Sequence, residues 1–162
     1  MRSKDKARLY TDLVRISDQV GILSNERPKL ILDRKEMQNL ILSRHIRDTG
    51  NPIHDKSVAG YGQCEWCIRT IFVDAGKQYY QRKRYGGRKF NRYIYRRKVK
   101  VTYKDKLHVL VHELVHYRWA YLSHGRQFEK RTSEVIRGRR FEPKHVHLFA
   151  NYPKSYRALI DG

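Results

Sequence analysis

The chain has 162 residues, of which 40% are hydrophobic, so it is long enough to form one domain with a buried core. Its 36 Lys and Arg residues outnumber the 16 Asp and Glu residues and set a formal net charge of +20. The excess positive charges repel one another and attract polyanions, which favours a nucleic acid as partner. No apolar run is long enough to span a membrane, the charged N-terminus does not resemble a secretory signal, and two cysteines are too few for a secreted disulfide scaffold. We therefore expect a cytoplasmic protein with no membrane partner.

Two helices are predicted in the first 50 residues. In the first, apolar residues recur at helical spacing, at Leu9, Leu13, Ile16 and Val20. The second is expected to begin at Asp33, with Glu36 completing a cap, and to end near Thr49. We take residues 1–50 as an N-terminal helical pair, and residues 51–162 as the main domain with a basic insertion at 75–104.

The basic insertion follows a predicted loop, residues 50–67, and a predicted strand, residues 68–74. It contains twelve Lys or Arg residues and no acidic residue, with aromatic residues between them. Gly86-Gly87 offers a turn, so a long hairpin is predicted with its returning strand from Arg92 to Tyr103. Cations contact phosphates and planar rings stack on bases, so this hairpin is predicted to bind nucleic acid without sequence preference. The residues predicted to do so are Arg82, Lys83, Arg84, Arg88, Lys89, Arg92, Arg96, Arg97 and Lys98, with Tyr79, Tyr80, Phe90 and Tyr93.

The metal-binding pattern lies in a strongly apolar helix that Thr102 and Asp105 are predicted to cap. Residues four apart share one face of a helix, so His112 and His116 can donate two imidazole nitrogens to one ion. Seven residues separate His116 from His124, the candidate third ligand. Glu113 stands beside the first ligand, where a carboxylate can act as general base. We therefore predict one Zn²⁺ on His112, His116 and His124, with Glu113 catalytic. Tyr117, His108 and His145 are unranked candidates for stabilising an oxyanion. A further basic helix is expected from Gln127 to about Arg137.

The motif His112-Glu113-Leu114-Val115-His116, followed by His124-Gly125-Arg126-Gln127-Phe128, resembles the SprT-like zinc metallopeptidases, the family that includes Spartan- and Wss-type proteases. The resemblance covers about residues 68–140. It implies an α+β, zincin-like domain, with helices packed on a short, mostly antiparallel sheet. It also implies hydrolysis of peptide bonds in nucleic-acid-bound proteins. The four-cysteine zinc ribbon that many members carry near the C-terminus has no counterpart here, since no cysteine follows Cys67.

The two cysteines, Cys64 and Cys67, have the spacing of half a zinc site. His45 and His54 are the candidates to complete a second metal site with them. A disulfide and two reduced thiols are the alternatives.

Two functions remain open from the sequence. The first is a zinc-dependent endopeptidase, tethered to DNA or RNA by its basic surface and acting on bound proteins. The second is a non-catalytic zincin-fold protein with structural zinc, part of a ribosome or another nucleoprotein. The spread of positive charge over the whole chain favours ribosomal RNA as the partner in the second case. In that case a histidine of the tail near His145 could close the metal site.

Overall fold

The computed structural model describes residues 2–49, 62–65, 68–86 and 93–146, with side chains for all of these except 44–49, 80–86 and 93–97. Its elements run in the order α1 (Ser3–Gln19), a 3-10 turn (Ser24–Glu26), β1 (Lys29–Ile31), α2 (Arg34–Thr49), β2 (Gly62–Glu65), β3 (Thr70–Val73), β4 (Tyr79–Gly86), β5 (Tyr93–Lys100), α3 (Tyr103–Arg118) and α4 (Arg126–Ile136). The protein is therefore α+β, as predicted.

The central sheet has three strands in the order β1-β3-β2. β1 runs parallel to β3, with Leu30 opposite Ile71, and β2 runs antiparallel to β3, with Cys64 opposite Ile71. All four residues of β3 are buried. Together with the antiparallel pair β4–β5, two of the three strand pairings among the described residues are antiparallel.

The sheet separates two apolar clusters because side chains alternate between its faces. Ile71 and Val73 of β3 belong to the main core, which also contains the buried apolar residues of α3 and α4. The apolar residues predicted to face the core from the first helix, Leu9, Leu13, Ile16 and Val20, lie in the same cluster. Phe72 instead packs with Ile31 and with Met37 of α2 in a smaller cluster. The predicted helical pair is thus divided between the two clusters. The domain boundary at residue 50 stays a prediction.

Both N-terminal helices end or begin as their sequences indicate. At the end of α1, Gly21 has a φ of +78°, and the N–H groups of Gly21 and Ile22 donate to Asp18 O and Ser17 O. This is a Schellman motif, in which glycine adopts the left-handed conformation at least cost. At the start of α2, the N–H of Glu36 donates to Asp33 Oδ1 at 2.8 Å, so Asp33 is the N-cap as predicted.

Two short strands were not predicted. β2 lies inside the segment expected to be loop, residues 50–67, and β1 lies in the connection between the first two helices. Strands of three and four residues are too short for their alternation to be recognised, and both owe their formation to pairing with β3. The prediction of loop is therefore wrong for residues 62–65.

The predicted basic hairpin is confirmed as the pair β4–β5, with Tyr79 opposite Lys100 and Gly86 opposite Tyr93. The returning strand ends at Lys100 rather than Tyr103, because the next residues begin α3. Thr102 and Asp105 cap that helix reciprocally: Asp105 N donates to Thr102 Oγ1 at 3.3 Å and Thr102 N donates to Asp105 Oδ2 at 2.7 Å. The predicted capping box is therefore confirmed.

None of the helices within the described ranges is long and apolar enough to cross a membrane.

Candidate metal centre

Helix α3 holds the first two histidines in a fixed position because its other side is part of the core. Leu110, Leu114 and Val115 are fully buried, and α3 contacts α1, α4 and the strands β2 and β3. His112 and His116 lie one turn apart on the half-buried side of this helix. The position of α3 is therefore set by its packing in the core.

The structure brings His124 to the same place from the segment between α3 and α4. The three Nε2 atoms form a small triangle: 3.1 Å between His112 and His124, 3.2 Å between His112 and His116, and 2.8 Å between His116 and His124. An ion held at about 2.0–2.1 Å by three imidazoles in tetrahedral geometry separates the nitrogens by about 3.3 Å. The triangle fits one such ion with small adjustment of the side chains.

Hydrogen bonding alone does not account for this triangle. Each Nε2 is either a donor or an acceptor, so among three such atoms in mutual contact at least two have the same role and repel. A cation at the centre removes the conflict, because all three nitrogens then present lone pairs. The protonation states agree with this arrangement. Burial, and then the neighbouring histidines, lower the pKa of His116 to about 4, and burial followed by the charge of His124 lowers the pKa of His112. Neutral imidazole is the form that binds a metal.

The aromatic ring of Phe128, in the first turn of α4, packs against all three imidazoles. Its centroid lies 4.8 Å from that of His112, 4.3 Å from that of His116 and 5.2 Å from that of His124. Phe128 is 3% exposed, so it forms the apolar floor on which the histidines rest. In the sequence it appeared only as the aromatic residue of the resembled motif.

Glu113 is buried beside His112, and both residues line one pocket. The pocket has a volume of about 370 Å³ and is lined by Gly62, His108, Val109, His112 and Glu113. Burial raises the pKa of Glu113 to about 8. A cation held by the adjacent histidines would favour the ionised carboxylate, which could then accept a proton and return it.

Strand β2 approaches this pocket closely at Gly62, a residue that the sequence did not single out. A Cβ atom on Gly62 would lie 2.5 Å from Val109 Cγ1 and 3.1 Å from Glu113 Cγ. A larger residue at this position would force Val109 or the backbone of β2 to shift. In the order β1-β3-β2 this strand lies at the edge of the three-stranded sheet.

Of the three residues considered for stabilising an oxyanion, His108 alone lines the pocket. Tyr117 is fully buried and its hydroxyl donates to Glu26 O at 2.6 Å. His145 Nδ1 lies 2.9 Å from Glu26 Oε1, and His145 is not in the histidine cluster. The position of His145 therefore gives no support to the prediction that it closes the metal site, and the other histidine of the tail, His147, lies outside the described residues.

The second metal site was predicted from Cys64, Cys67, His54 and His45. Cys64 is a buried residue of β2, and burial, followed by the charges of Glu113 and Glu65, raises the pKa of its thiol. Cys67 and His54 lie outside the described residues, as does the side chain of His45. Within the part of the chain that the structure describes, the three-histidine cluster is the one group of three or more metal-ligating side chains. The second site stays a prediction.

The predicted nucleic-acid-binding residues fall largely on the hairpin. The pairing of β4 with β5 puts cationic positions directly opposite each other, Arg82 with Arg97 and Lys83 with Arg96. Like charges in such pairs destabilise a two-stranded ribbon, and a bound polyanion relieves the repulsion. Arg84, Tyr80 and Tyr93 also lie on these strands, whereas Arg88, Lys89, Phe90 and Arg92 lie outside the described residues. Tyr79 is 42% exposed, and the Nζ atom of Lys98 lies 4.3 Å from its ring centroid.

Comparisons with protein-family models, with curated proteins and with solved structures yield no match to this chain. The class of protein that the fold and the site define is an α+β protein with a three-histidine cluster able to hold a metal ion.

Proposed function

We propose that the protein is a zinc-dependent endopeptidase that acts on proteins bound to nucleic acid. The observation that carries this proposal is the convergence of three histidine Nε2 atoms, with one of these histidines, His112, lining an open pocket together with Glu113. The resemblance of residues 112–128 to SprT-like metallopeptidases supports the same reading. Zn²⁺ fits better than Mg²⁺ or Ca²⁺ because all three donors are imidazole nitrogens.

His112, His116 and His124 hold the zinc, and Phe128 keeps the three rings together. When bound, zinc polarises the scissile carbonyl and makes water more acidic. Glu113 takes the proton from the attacking water and returns it to the leaving amine, so its carboxyl group is unchanged after each cycle. His108, on the wall of the same pocket, is placed to donate a hydrogen bond to the substrate.

An extended substrate peptide is proposed to lie along the edge of β2. Gly62 brings this strand beside Glu113, and an edge strand offers backbone N–H and C=O groups to a further strand. Because such binding uses the peptide backbone, substrates of many different sequences could be accepted. Selectivity then comes from the basic surface, because a tether to nucleic acid raises the local concentration of proteins bound to the same polymer.

The test is cleavage of a basic nucleic-acid-binding protein by wild type, Glu113→Gln and the matched control Glu129→Gln, which changes an exposed carboxylate of α4. The assays are run with and without single-stranded DNA or RNA, and zinc content is measured by mass spectrometry. We expect wild type and Glu129→Gln to cleave, with stimulation by the polymer. Glu113→Gln is expected to retain one zinc and to lose at least about 100-fold in rate. Zinc-loaded, folded wild type that cleaves nothing under any of these conditions would contradict the enzyme.

A second candidate function is a non-catalytic zinc protein of a nucleoprotein such as the ribosome. The net charge of +20 and the opposed cations of the hairpin favour it. It predicts that wild type and Glu113→Gln bind RNA equally tightly and that neither cleaves protein. RNA binding without cleavage by wild type therefore selects this function over the first.

A further inference from the structure

A large polar cleft lies away from the metal pocket, where three separate parts of the chain meet. Its volume is about 700 Å³. The N-terminal end of α1 contributes Arg2, the two ends of the hairpin contribute Lys77, Tyr79 and Lys100, and the first turn of α3 contributes Lys106. Three exposed cations, Arg2, Lys77 and Lys100, thus line a cleft in which Asp5 is the one carboxylate among the lining residues, and the buried ammonium of Lys106 is part of its wall.

The walls of this cleft are held in place by hydrogen bonds. Val101 N donates to Gln78 O at 2.8 Å and closes the base of the hairpin. Ala75 N donates to Leu32 O at 3.1 Å, which joins the segment leading into the hairpin to the residue that follows β1. The Nζ atom of Lys106, a buried residue, donates to Ala75 O at 2.5 Å. The cleft is therefore formed before any ligand binds, so little ordering free energy is lost on binding.

One wall offers an aromatic surface next to positive charge. The exposed ring of Tyr79 borders the cleft, and the ammonium group of Lys98 lies over the ring. An unpaired base can stack on the face of the ring opposite Lys98, while adjacent ammonium groups contact the phosphates on either side of it. A duplex keeps its bases stacked on one another and cannot use the ring. This combination fits single-stranded nucleic acid.

The cleft continues towards the metal centre. An intermediate pocket of about 200 Å³, which also contains the carboxylates of Asp74 and Asp105, connects the two. It shares Lys77 and Lys106 with the cleft and shares His108 and Val109 with the metal pocket. His112 lies nine positions after Tyr103 in α3, which corresponds to about 14 Å along the helix axis. A protein bound to the polymer in this cleft would thus lie close enough to reach the three histidines.

We propose that this cleft binds the phosphodiester backbone of a single-stranded nucleic acid, with a base stacked on Tyr79, and presents polymer-bound proteins to the metal centre. The site rests on the nucleic-acid binding of the proposed function and is independent of its proteolysis. It assigns the contact to the base of the hairpin and the N-terminus of α1, rather than to the strands of the hairpin alone.

The test measures binding of fluorescently labelled single-stranded DNA and RNA by anisotropy, over a series of salt concentrations. The cleft variant is Lys77→Gln/Lys100→Gln, and the matched control is Lys29→Gln/Lys35→Gln, which removes two exposed lysines elsewhere. All four lysines are exposed, and equal melting temperatures establish that both variants fold. Because each phosphate contact contributes about 0.7 to the slope of log K against log salt, we expect the cleft variant to lose about 1.4 from the slope and the control to lose none. Tyr79→Ala is expected to weaken binding of single strands about 5- to 150-fold and leave binding of duplex unchanged.

Equal slopes for wild type and the cleft variant, with tight binding by both, overturn the cleft and leave the proposed function intact. Absence of binding by wild type at low salt overturns both the cleft and the tether to nucleic acid. Photo-crosslinking with a 5-iodouridine-substituted strand gives an independent measurement: a cross-link at Tyr79 supports the site, and cross-links confined to residues 82–97 overturn it.

Discussion

The floor of the metal centre provides the most informative perturbation. Phe128 contacts all three histidine rings at centroid distances of 4.3 to 5.2 Å and is almost fully buried. Replacing it with alanine removes the ring that separates the histidines from the core and leaves a cavity beneath them. The three imidazoles are then free to rotate apart, which relieves the crowding of their Nε2 atoms. We therefore expect Phe128→Ala to lower both the stability of the fold and the affinity for zinc.

The two losses can be separated in magnitude. A buried Phe→Ala substitution costs about 3–5 kcal/mol of unfolding free energy. For a chain of this length each kcal/mol corresponds to about 2–4 °C, so the melting temperature of the metal-free protein should fall by about 6–20 °C. Loss of the support around metal ligands typically lowers affinity about 10- to 100-fold, which adds about 1.4–2.7 kcal/mol to the difference when zinc is present. Phe128→Leu keeps most of the apolar volume and should lose less of both.

The assay compares melting of wild type, Phe128→Leu and Phe128→Ala in excess chelator and in excess zinc, with zinc affinity measured by competition against a chromogenic chelator. The expected order is wild type, then leucine, then alanine, in both stability and affinity. A metal-free Phe128→Ala protein that melts within about 2 °C of wild type and binds zinc equally well would refute the role given to this ring.

Three further predictions concern other parts of the structure. Gly21→Ala is expected to destabilise the fold by about 2–4 kcal/mol in denaturant unfolding, because a Cβ atom there meets Glu142 O at 2.4 Å and the φ of +78° is strained for alanine; a change below about 0.5 kcal/mol would contradict this. Burial tends to raise the pKa of Glu26, but hydrogen bonds from His145 and from the N–H of Val146 outweigh it and lower the pKa below 4.5. A carboxylate with a lowered pKa stabilises the fold when the pH is above the ordinary carboxyl pKa, and this stabilisation is lost as the pH falls through the lowered pKa. The difference in melting temperature between wild type and Glu26→Gln should therefore shrink from about pH 6 to pH 3. A difference that stays constant with pH would contradict this role of Glu26. Cys64 is buried and its thiol pKa is raised. Iodoacetamide should therefore alkylate Cys64 at least about tenfold more slowly in the native protein than in the unfolded protein, as measured by mass spectrometry of the peptide that contains it.

The local features of the fold could be read from the sequence because each depends on neighbouring residues. The apolar spacing of α1, the Asp33 cap of α2 and the Thr102–Asp105 capping box of α3 all appear where the pattern indicated. The two histidines of the metal centre also belong to this group, since residues four apart on a helix share a face whatever the rest of the chain does. The long basic hairpin was recognisable from its length, its charge and its turn residues.

The features that the sequence did not reveal depend on residues far apart along the chain. β1 and β2 are strands only because they pair with β3 from opposite sides, and segments of three or four residues carry no periodicity of their own. The division of α1 and α2 between two apolar clusters follows from the alternation of Ile71 and Phe72 across the sheet.

The same distinction applies to the candidate site. The sequence motif identified the three histidines and Glu113 as site residues. The packing of α4 against α3 brings Phe128 beneath the imidazole rings and sets the distances between the three Nε2 atoms. The close approach of Gly62 and the cationic cleft at the base of the hairpin also arise where separate segments meet. Sequence patterns report which residues share a face of one element. The distances between elements are set by packing across the core, and those distances decide what the site can bind.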